Sequence, residues 1–548
     1  MPPPTRLVTA ALPYCNAEPH LGNLIGSTLS ADVFARYSRA CHYPTLYICG
    51  TDRYGTATEI KALEEKLTPR EICAKYHAIH ETIYKFFQIQ FDYFGSTETP
   101  LHTQITHEVI QGLEEQSCLI IKPTQTCVCT KCHRALSDRF VIGECPNCHA
   151  LDARGDQCDA CGHLTHATVL LHPVCALCRD PAFPLEFLVT PHQFLKFDQT
   201  QSKIKRWMNP AKTEAHAYAL TLSKLEEPLP AKDITRNLSW GVAVPERFGL
   251  KDQVYYVWFE ATVRIISLKC IYYLFLFHFS QIGYISITAN AVPHWRQLWT
   301  DPQTQLYHFI GKDNILFHTI YFPATLFGSG QGWILPHFIS ATHYLMFEGQ
   351  KFSKSRNVGV FGTDAMNSKT ESDVWRLALL RMRPETGDSD FTLKFLNETR
   401  EWLRRNVANL SSRITKFLEN KHGGVVPSGC TLDAAEMKVL DDFMGIYHQA
   451  MEHVKLREGV EVAMKVVNEL NAYLNRVQFW VLEDSRSVMF TAVNMLAWIS
   501  VLWAPFTPTL SQGLREQLGS TYELEFHPDS ILVPHGTQLP ATQHLIEK

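Results

Sequence analysis

Half of the 16 cysteines fall in four Cys-x-x-Cys pairs within fifty residues: Cys129/Cys132, Cys145/Cys148, Cys158/Cys161 and Cys175/Cys178. No other feature restricts the fold so strongly. Eight thiolates at this spacing make two tetrahedral four-cysteine sites, closed and therefore structural. The N-terminus, Met1-Pro2-Pro3-Pro4-Thr5-Arg6-Leu7, lacks both the apolar core of a secretory signal and an Arg/Ser-rich leader. A cytoplasmic location is expected, and in that compartment the spacing argues for zinc rather than disulfides. Spacing alone leaves sequential, interleaved and nested pairing open. Cys127 is a spare thiol.

Cysteine, proline and glycine are enriched from about 119 to 235, which reads as an inserted domain. On both sides the pattern is that of a folded α/β chain. Hydrophobic residues make up 45% and charged residues 19%, which excludes a disordered chain. The net charge of −4 excludes a generally basic nucleic-acid binder, so any such contact must come from local patches. The uncharged run inside Ile265–Phe279 is too short to cross a bilayer, and Arg264, Lys269 and His278 flank or interrupt it.

Leu7–Leu12 reads as a buried strand, His20-Leu21-Gly22-Asn23 as a helix start, and Thr45–Cys49 as a second strand ending in Gly50-Thr51-Asp52. This is a βαβ unit, whose ligands belong beyond the carboxyl ends of the strands. Neither a Gly-x-Gly-x-x-Gly turn nor a Walker lysine loop is present. Further strand-like runs are Val254–Phe259, Tyr307–Asp313 and His337–Ser340. From about 395 the pattern is helical: Leu403, Val407, Leu410, Ile414 and Phe417 form one apolar stripe, and the C-terminal third is expected to be a helix bundle.

Two short motifs carry chemistry. At the His20 helix start, free N–H groups and the helix dipole favour phosphate. Gly22 lets a nucleotide approach the backbone, and His20 and Asn23 can donate to phosphate oxygens. Far downstream, Lys351-Phe352-Ser353-Lys354-Ser355 is a loop that would bring ammonium groups to a polyphosphate. Preorganised donors and cations of this kind stabilise the charge that develops in nucleotidyl transfer.

A His-x-Gly-x helix start after the first strand, with a Lys-x-Ser-Lys-Ser loop after the last, resembles the paired signature of class I aminoacyl-tRNA synthetases. Ala11–Asn16, Ile48–Asp52, Tyr256–Ala261, Gly311-Lys312-Asp313-Asn314 with Phe317-His318, and Lys351–Ser355 resemble, in that order, the methionyl-tRNA synthetase family. The resemblance runs from about Leu7 to the C-terminus, and its two zinc sites suit the eukaryotic cytosolic and archaeal form. It implies an α/β fold: a Rossmann-like parallel-sheet catalytic domain (1–118 and 236–340), an inserted zinc-knuckle domain (119–235), a loop and stem-contact region (341–394), and an α-helical bundle anticodon-binding domain (395–548).

The implied reaction is ATP-dependent ligation of methionine to tRNA(Met). ATP with Mg2+ is the co-substrate, and two structural Zn2+ ions are held by the eight paired cysteines, the inner two pairs on one and the outer two on the other. His20, Asn23, Lys351 and Lys354 are the implied catalytic residues. His20, Gly22, Asn23, Gly311, Asp313 and Lys354 are implied to bind ATP. Leu12, Tyr14, Asp52, Trp258, Ala261, Tyr284 and His318 are implied to bind methionine, Asp52 through the substrate ammonium. A thioether suits an apolar and aromatic enclosure of this composition. Asn409, Arg413 and Trp480 are implied to read the anticodon, by stacking and by amide and guanidinium hydrogen bonds. The family also admits other synthetases, as in a multi-synthetase complex, among the partners.

Three departures stand out. Asn23 replaces the second histidine of many class members but keeps a donor. Arg53 follows Thr51-Asp52 where cytosolic relatives usually carry glutamate. The 19 residues Val263–Gln281 separate Trp258-Phe259-Glu260-Ala261-Thr262 from Ile282-Gly283-Tyr284, in the middle of the expected methionine pocket. This segment reads as a translated, unspliced intron. Valine codons begin GT, glutamine can be encoded CAG, and Tyr272–Ser280 is encodable by pyrimidine-rich codons. A family-specific loop is the other reading, and a catalytically impaired isoform that keeps tRNA or protein binding is the alternative function.

Overall fold

The computed structural model describes residues 3–136, 140–155, 158, 160–161, 165, 167–260, 281–352, 359–519, 531–542 and 545–546. Its centre is a five-stranded sheet built from β1 (Arg6–Ala10), β2 (Thr45–Thr51) and β3 (Tyr93–Ser96). Two strands from much later in the chain complete it, β6 (Gln305–Gly311) and β7 (Pro336–Thr342). Between them in sequence lie β4 (Leu119–Cys129) and β5 (Leu185–Leu195), which form a separate ribbon. The sheet order is β7-β6-β1-β2-β3, and every pairing is parallel. Strand β1 is buried along its whole length, Arg6 and Thr9 included, as a strand inside a parallel sheet covered on both faces is. The order reverses direction between β1 and β6, so the crevice beyond their carboxyl ends is the topological switch point where ligands of such sheets bind.

β4 and β5 pair antiparallel over eleven residues each, from Leu119 opposite Leu195 to Cys129 opposite Leu185. This ribbon leaves the sheet domain and carries the cysteine-rich knuckles at its far end. The C-terminal region is helical, with Asn409–His422, Ala434–Glu452, Leu456–Val477, Arg486–Trp503 and Pro508–Gln517 as its main rods. Arg486–Trp503 is long and apolar enough to span a membrane, but 83% of it is buried inside the bundle. It is the bundle's central helix.

One contiguous core joins the sheet to the bundle. At the seam Arg376 is fully buried. It donates to Asp32 at 2.8 Å, to the carbonyls of Pro505 and Phe506 at 2.7 and 2.9 Å, and to that of Phe87 at 2.8 Å. A charged group survives in such a place only when paired and hydrogen-bonded.

One expected strand is corrected. Val254–Phe259 contributes only Val254–Tyr255 to a strand, paired with Thr235–Arg236, and Val257–Glu260 is helical. The β-branched and aromatic run favours a strand locally, but its partner is two residues long, and tertiary context decides the rest.

Candidate active site

His20 caps the helix that starts at Leu21. Its backbone N–H donates to Asn23 Oδ1 at 2.9 Å, and Asn23 N–H donates to His20 Nδ1 at 3.3 Å. The motif therefore spends its polar atoms first on closing the helix end. A Cβ at position 22 would meet the His20 ring at 2.9 Å, so glycine is what lets the imidazole fold over the turn. Burial pushes the His20 pKa down to about 3, so the ring is neutral. With Nδ1 accepting from Asn23, its hydrogen sits on Nε2, a donor suited to a phosphate oxygen.

His20, Gly22, Asn23, Gly311, Asp313 and Lys351 line one cavity. It lies at the carboxyl ends of β6 and β7 beside the His20 helix start. Residues more than 300 positions apart in sequence thus meet. Phe352 stacks on His20, with ring centroids 4.5 Å apart and planes within 5°, while Phe361 meets the same ring edge-on at 6.4 Å. The start of the lysine loop is therefore docked on the first motif. His343, Tyr344 and Leu345 complete the wall and escaped the sequence reading. Their signal was position, directly beyond a parallel strand's carboxyl end. Lys354 lies outside the described residues.

The expected amino-acid side of the site opens around Asp52, at the end of β2. Asp52 is fully buried and accepts from Thr97 Oγ1 at 3.3 Å. Its N–H donates to the Pro13 carbonyl at 2.8 Å, and Cys15 N–H donates back to the Asp52 carbonyl at 3.1 Å, which fixes the carboxylate beside the Leu12–Tyr14 turn. Arg53 pairs with Glu98 at 3.3 Å, and Arg70 reaches the same carboxylate at 2.6 Å. The positive charge next to Asp52 in sequence is thus engaged by a carboxylate of its own.

Leu12, Tyr284 and His318 are all fully buried. Burial holds the His318 pKa down at about 4, so this ring is neutral as well. Its Nδ1 lies 3.0 Å from the Asn314 carbonyl, and its Nε2 lies 3.0 Å from Tyr284 Oη. The carbonyl can only accept, so Nδ1 carries the hydrogen and Nε2 accepts from the tyrosine. Beneath them His308, which the sequence reading missed, packs 4.8 Å from the Tyr284 ring. It lies inside a strand, where a histidine reads as plain core. Ala261, the side chain of Trp258 and residues 263–280 lie outside the described residues.

The cysteine pairs resolve as nested. Cys129, Cys132, Cys175 and Cys178 form one cluster, and Cys145, Cys148, Cys158 and Cys161 the other. Sulfur separations of 3.7 Å (Cys129–Cys178), 3.9 Å (Cys132–Cys175), 3.7 Å (Cys145–Cys161) and 3.6 Å (Cys148–Cys158) suit a shared metal. A tetrahedral zinc site with four thiolate ligands requires sulfur–sulfur edges of about 3.8 Å. Both clusters fit zinc, and their separations are far from a disulfide bond.

In the bundle, Asn409, Arg413 and Trp480 are all exposed. Arg413 donates to Asn475 at 3.2 Å, joining two helices of one face. Trp480 stands edge-on to Phe479, and Phe479 is in turn edge-on to Phe417.

Comparison with known proteins bears on this geometry. Residues 6–415 match the family described as tRNA synthetases class I (M). The chain is 42% identical over 535 residues to a probable cytoplasmic methionine–tRNA ligase of Schizosaccharomyces pombe, covering 94% of this chain and 65% of that one. It is 40% identical over 529 residues to the human cytoplasmic methionine–tRNA ligase, covering 93% and 56%. The chain thus spans about two thirds or less of these relatives' lengths. The crystal structure of a Mycobacterium tuberculosis methionyl-tRNA synthetase bound by methionyl-adenylate superposes with a TM-score of 0.79 at 19% identity, covering 99% of this chain and all of that one.

Proposed function

The chain belongs to the class I (M) family of tRNA synthetases, and from that premise we propose that it activates L-methionine with ATP and Mg2+ and transfers it to the terminal ribose of tRNA(Met). The observation that carries this reading is the single cavity in which His20, Asn23, Asp313 and Lys351 converge, beside the switch point of the sheet. In adenylation the methionine carboxylate attacks the α-phosphate and pyrophosphate leaves. Negative charge grows on oxygens that the neutral His20 Nε2–H and the Lys351 ammonium can meet, and the resemblance adds Lys354. These groups act by position and field, with no covalent work. Asp52 supplies the carboxylate for the substrate ammonium. Leu12, Tyr14, Trp258, Ala261, Tyr284 and His318 form the proposed enclosure for the thioether.

We assign a Zn2+ ion to each four-cysteine cluster, where it would rigidify the end of the β4–β5 ribbon without entering the chemistry. Domain limits follow the same reading: 1–118 with 236–340 for catalysis, 119–235 for the insertion, 341–394 for the lysine loop and stem contact, and 395–548 for the anticodon. Exposed Asn409, Arg413 and Trp480 are proposed to read it. The relatives' names support a cytoplasmic location. Co-purification of other synthetases with the full chain tests membership of a multi-synthetase complex. No comparison favours the impaired-isoform reading.

ATP–pyrophosphate exchange with methionine, cysteine and leucine is the test. Exchange with methionine alone is expected. Exchange with another amino acid instead, or none together with intact tRNA binding, overturns the assignment.

A further inference from the structure

Tyr344 lines the cavity and makes backbone, hydroxyl and ring contacts of different chemistry. It follows β7, and its backbone is fixed on both sides: its N–H donates to Asp388 Oδ1 at 3.0 Å, and its carbonyl accepts from Ser389 N–H at 3.0 Å. Its hydroxyl donates to Asp313. Two ammonium groups lie over its ring, Lys351 at 4.3 Å from the centroid and Lys312 at 5.2 Å. Burial and the Asp313 carboxylate hold the phenol pKa well above its usual value, so the hydroxyl stays a donor.

We infer that Tyr344 is a positioning residue for nucleotide binding: its ring gathers Lys312 and Lys351 at one wall of the cavity, while its hydroxyl orients the Asp313 carboxylate. Two ammonium groups side by side repel, yet a polyphosphate site needs both in place before the ligand arrives. The negative face of an aromatic ring offsets that repulsion without neutralising either charge, as a carboxylate would. The hydroxyl in turn engages Asp313, the carboxylate next to Lys312 in sequence. Among the described groups that act on Lys351 are Asp313 and Lys312 from the turn after β6, Asp388 from the loop before Ser389–Phe391, and Tyr344 itself. Burial outweighs the two carboxylates and lowers the Lys351 pKa to about 8. The ring is therefore the uncharged partner that helps keep this ammonium protonated.

This inference rests on the adenylation reading, and the experiment separates the two. Tyr344→Phe and Tyr344→Leu are made in the full chain. Steady-state exchange gives KM for ATP and kcat. Competitive acetylation with acetic anhydride, read by peptide mass spectrometry across pH, gives the titration midpoint of Lys351 without requiring activity. Tyr344→Phe keeps the ring, so the Lys351 midpoint is expected to stay in place while KM for ATP rises about fivefold from the lost hydroxyl bond. Tyr344→Leu is expected to lower the midpoint by about half a pH unit and to raise KM further. An unmoved midpoint and an unmoved KM in Tyr344→Leu overturn the role. Equal losses of kcat in both variants with an unmoved midpoint reduce Tyr344 to packing and also overturn it. A wild-type chain without methionine-dependent exchange, whose Lys351 midpoint still responds to loss of the ring, overturns the reaction and upholds the contact.

Discussion

At the scale of single residues, the site works by fixing protonation states before any ligand arrives. His20 and His318 are both neutral near pH 7 because burial disfavours the imidazolium. Lys351 is different, since its lowered pKa of about 8 puts its charge loss close to working pH. It is protonated below that value and neutral above it, so kcat/KM for ATP is expected to fall as pH rises through about 8. A pH profile of exchange at subsaturating ATP reads this, and a profile that stays flat well into the alkaline range would contradict it. Phe352 encloses His20, so Phe352→Ala should let the His20 pKa climb from about 3 toward the ordinary imidazole value and should raise KM for ATP. Histidine C2 hydrogen–deuterium exchange, followed by mass spectrometry, measures the first effect directly. An unshifted His20 would show that the stacked ring does not enclose it.

At the scale of elements, the long β4–β5 ribbon sets the cysteine knuckles apart from the sheet. Each knuckle has little apolar mass to fold by burial alone, so the proposed zinc at each cysteine cluster would supply much of its stability. Cys148→Ser removes one ligand from the inner cluster. The zinc content of purified protein should drop from two per chain to one by atomic emission, and proteolysis should sharpen between 140 and 165. Adenylation should survive better than transfer to tRNA, because the clusters do not line the nucleotide cavity. Unchanged zinc content would contradict Cys148 as a zinc ligand. The π-helical turn Leu24–Thr28 directly after the His20 start is a further local feature, of a kind often found at functional sites.

At the scale of the whole molecule, the sheet region and the helix bundle meet at buried Arg376, which pairs with Asp32 on one side and donates to the bundle carbonyls of Pro505 and Phe506 on the other. Burial alone would raise the Asp32 pKa, but Arg36 and Arg376 hold it below the usual carboxylate range. A depressed carboxylate stabilises the fold above its unfolded-state pKa, and that contribution is lost as pH falls through the folded value. Arg376→Ala leaves Asp32 with the partly exposed Arg36 and the Gln90 N–H, and strips three carbonyls of their donor. A loss of about 3–5 kcal/mol is expected by denaturant unfolding. Replacing both Asp32 and Arg376 by leucine should recover only part of it, because those carbonyls stay unpaired; full recovery would show that the carbonyl bonds contribute nothing. Deletion of Val263–Gln281 tests the largest anomaly of the chain. The helices Val257–Glu260 before it and Gln281–Ala291, whose first residue is the segment's last, touch one another, and the second presents Tyr284 to His318. The shortened chain is expected to exchange pyrophosphate with methionine faster than the full chain. Slower exchange would identify the segment as a working part of the enzyme.

The sequence by itself determined whatever depends on neighbours a few positions apart. The His20 cap needs only residues 20–23, each Cys-x-x-Cys pair is one turn, and the apolar stripe from Leu403 to Phe417 follows the helical repeat. Spacing placed β1, β2, β6 and β7 closely enough to locate the crevice at their ends. The nesting of the two cysteine clusters emerges only in three dimensions, because it depends on how β4 and β5 return side by side. The direction of Arg53 depended on Glu98 standing on a different element. The helix at Val257–Glu260 depended on a partner strand too short to extend the pairing. Tyr344 carried only the signal of its place after a strand, and His308 none. An ordinary tyrosine after a strand and an ordinary histidine inside one acquire their contacts only when segments hundreds of residues apart pack together.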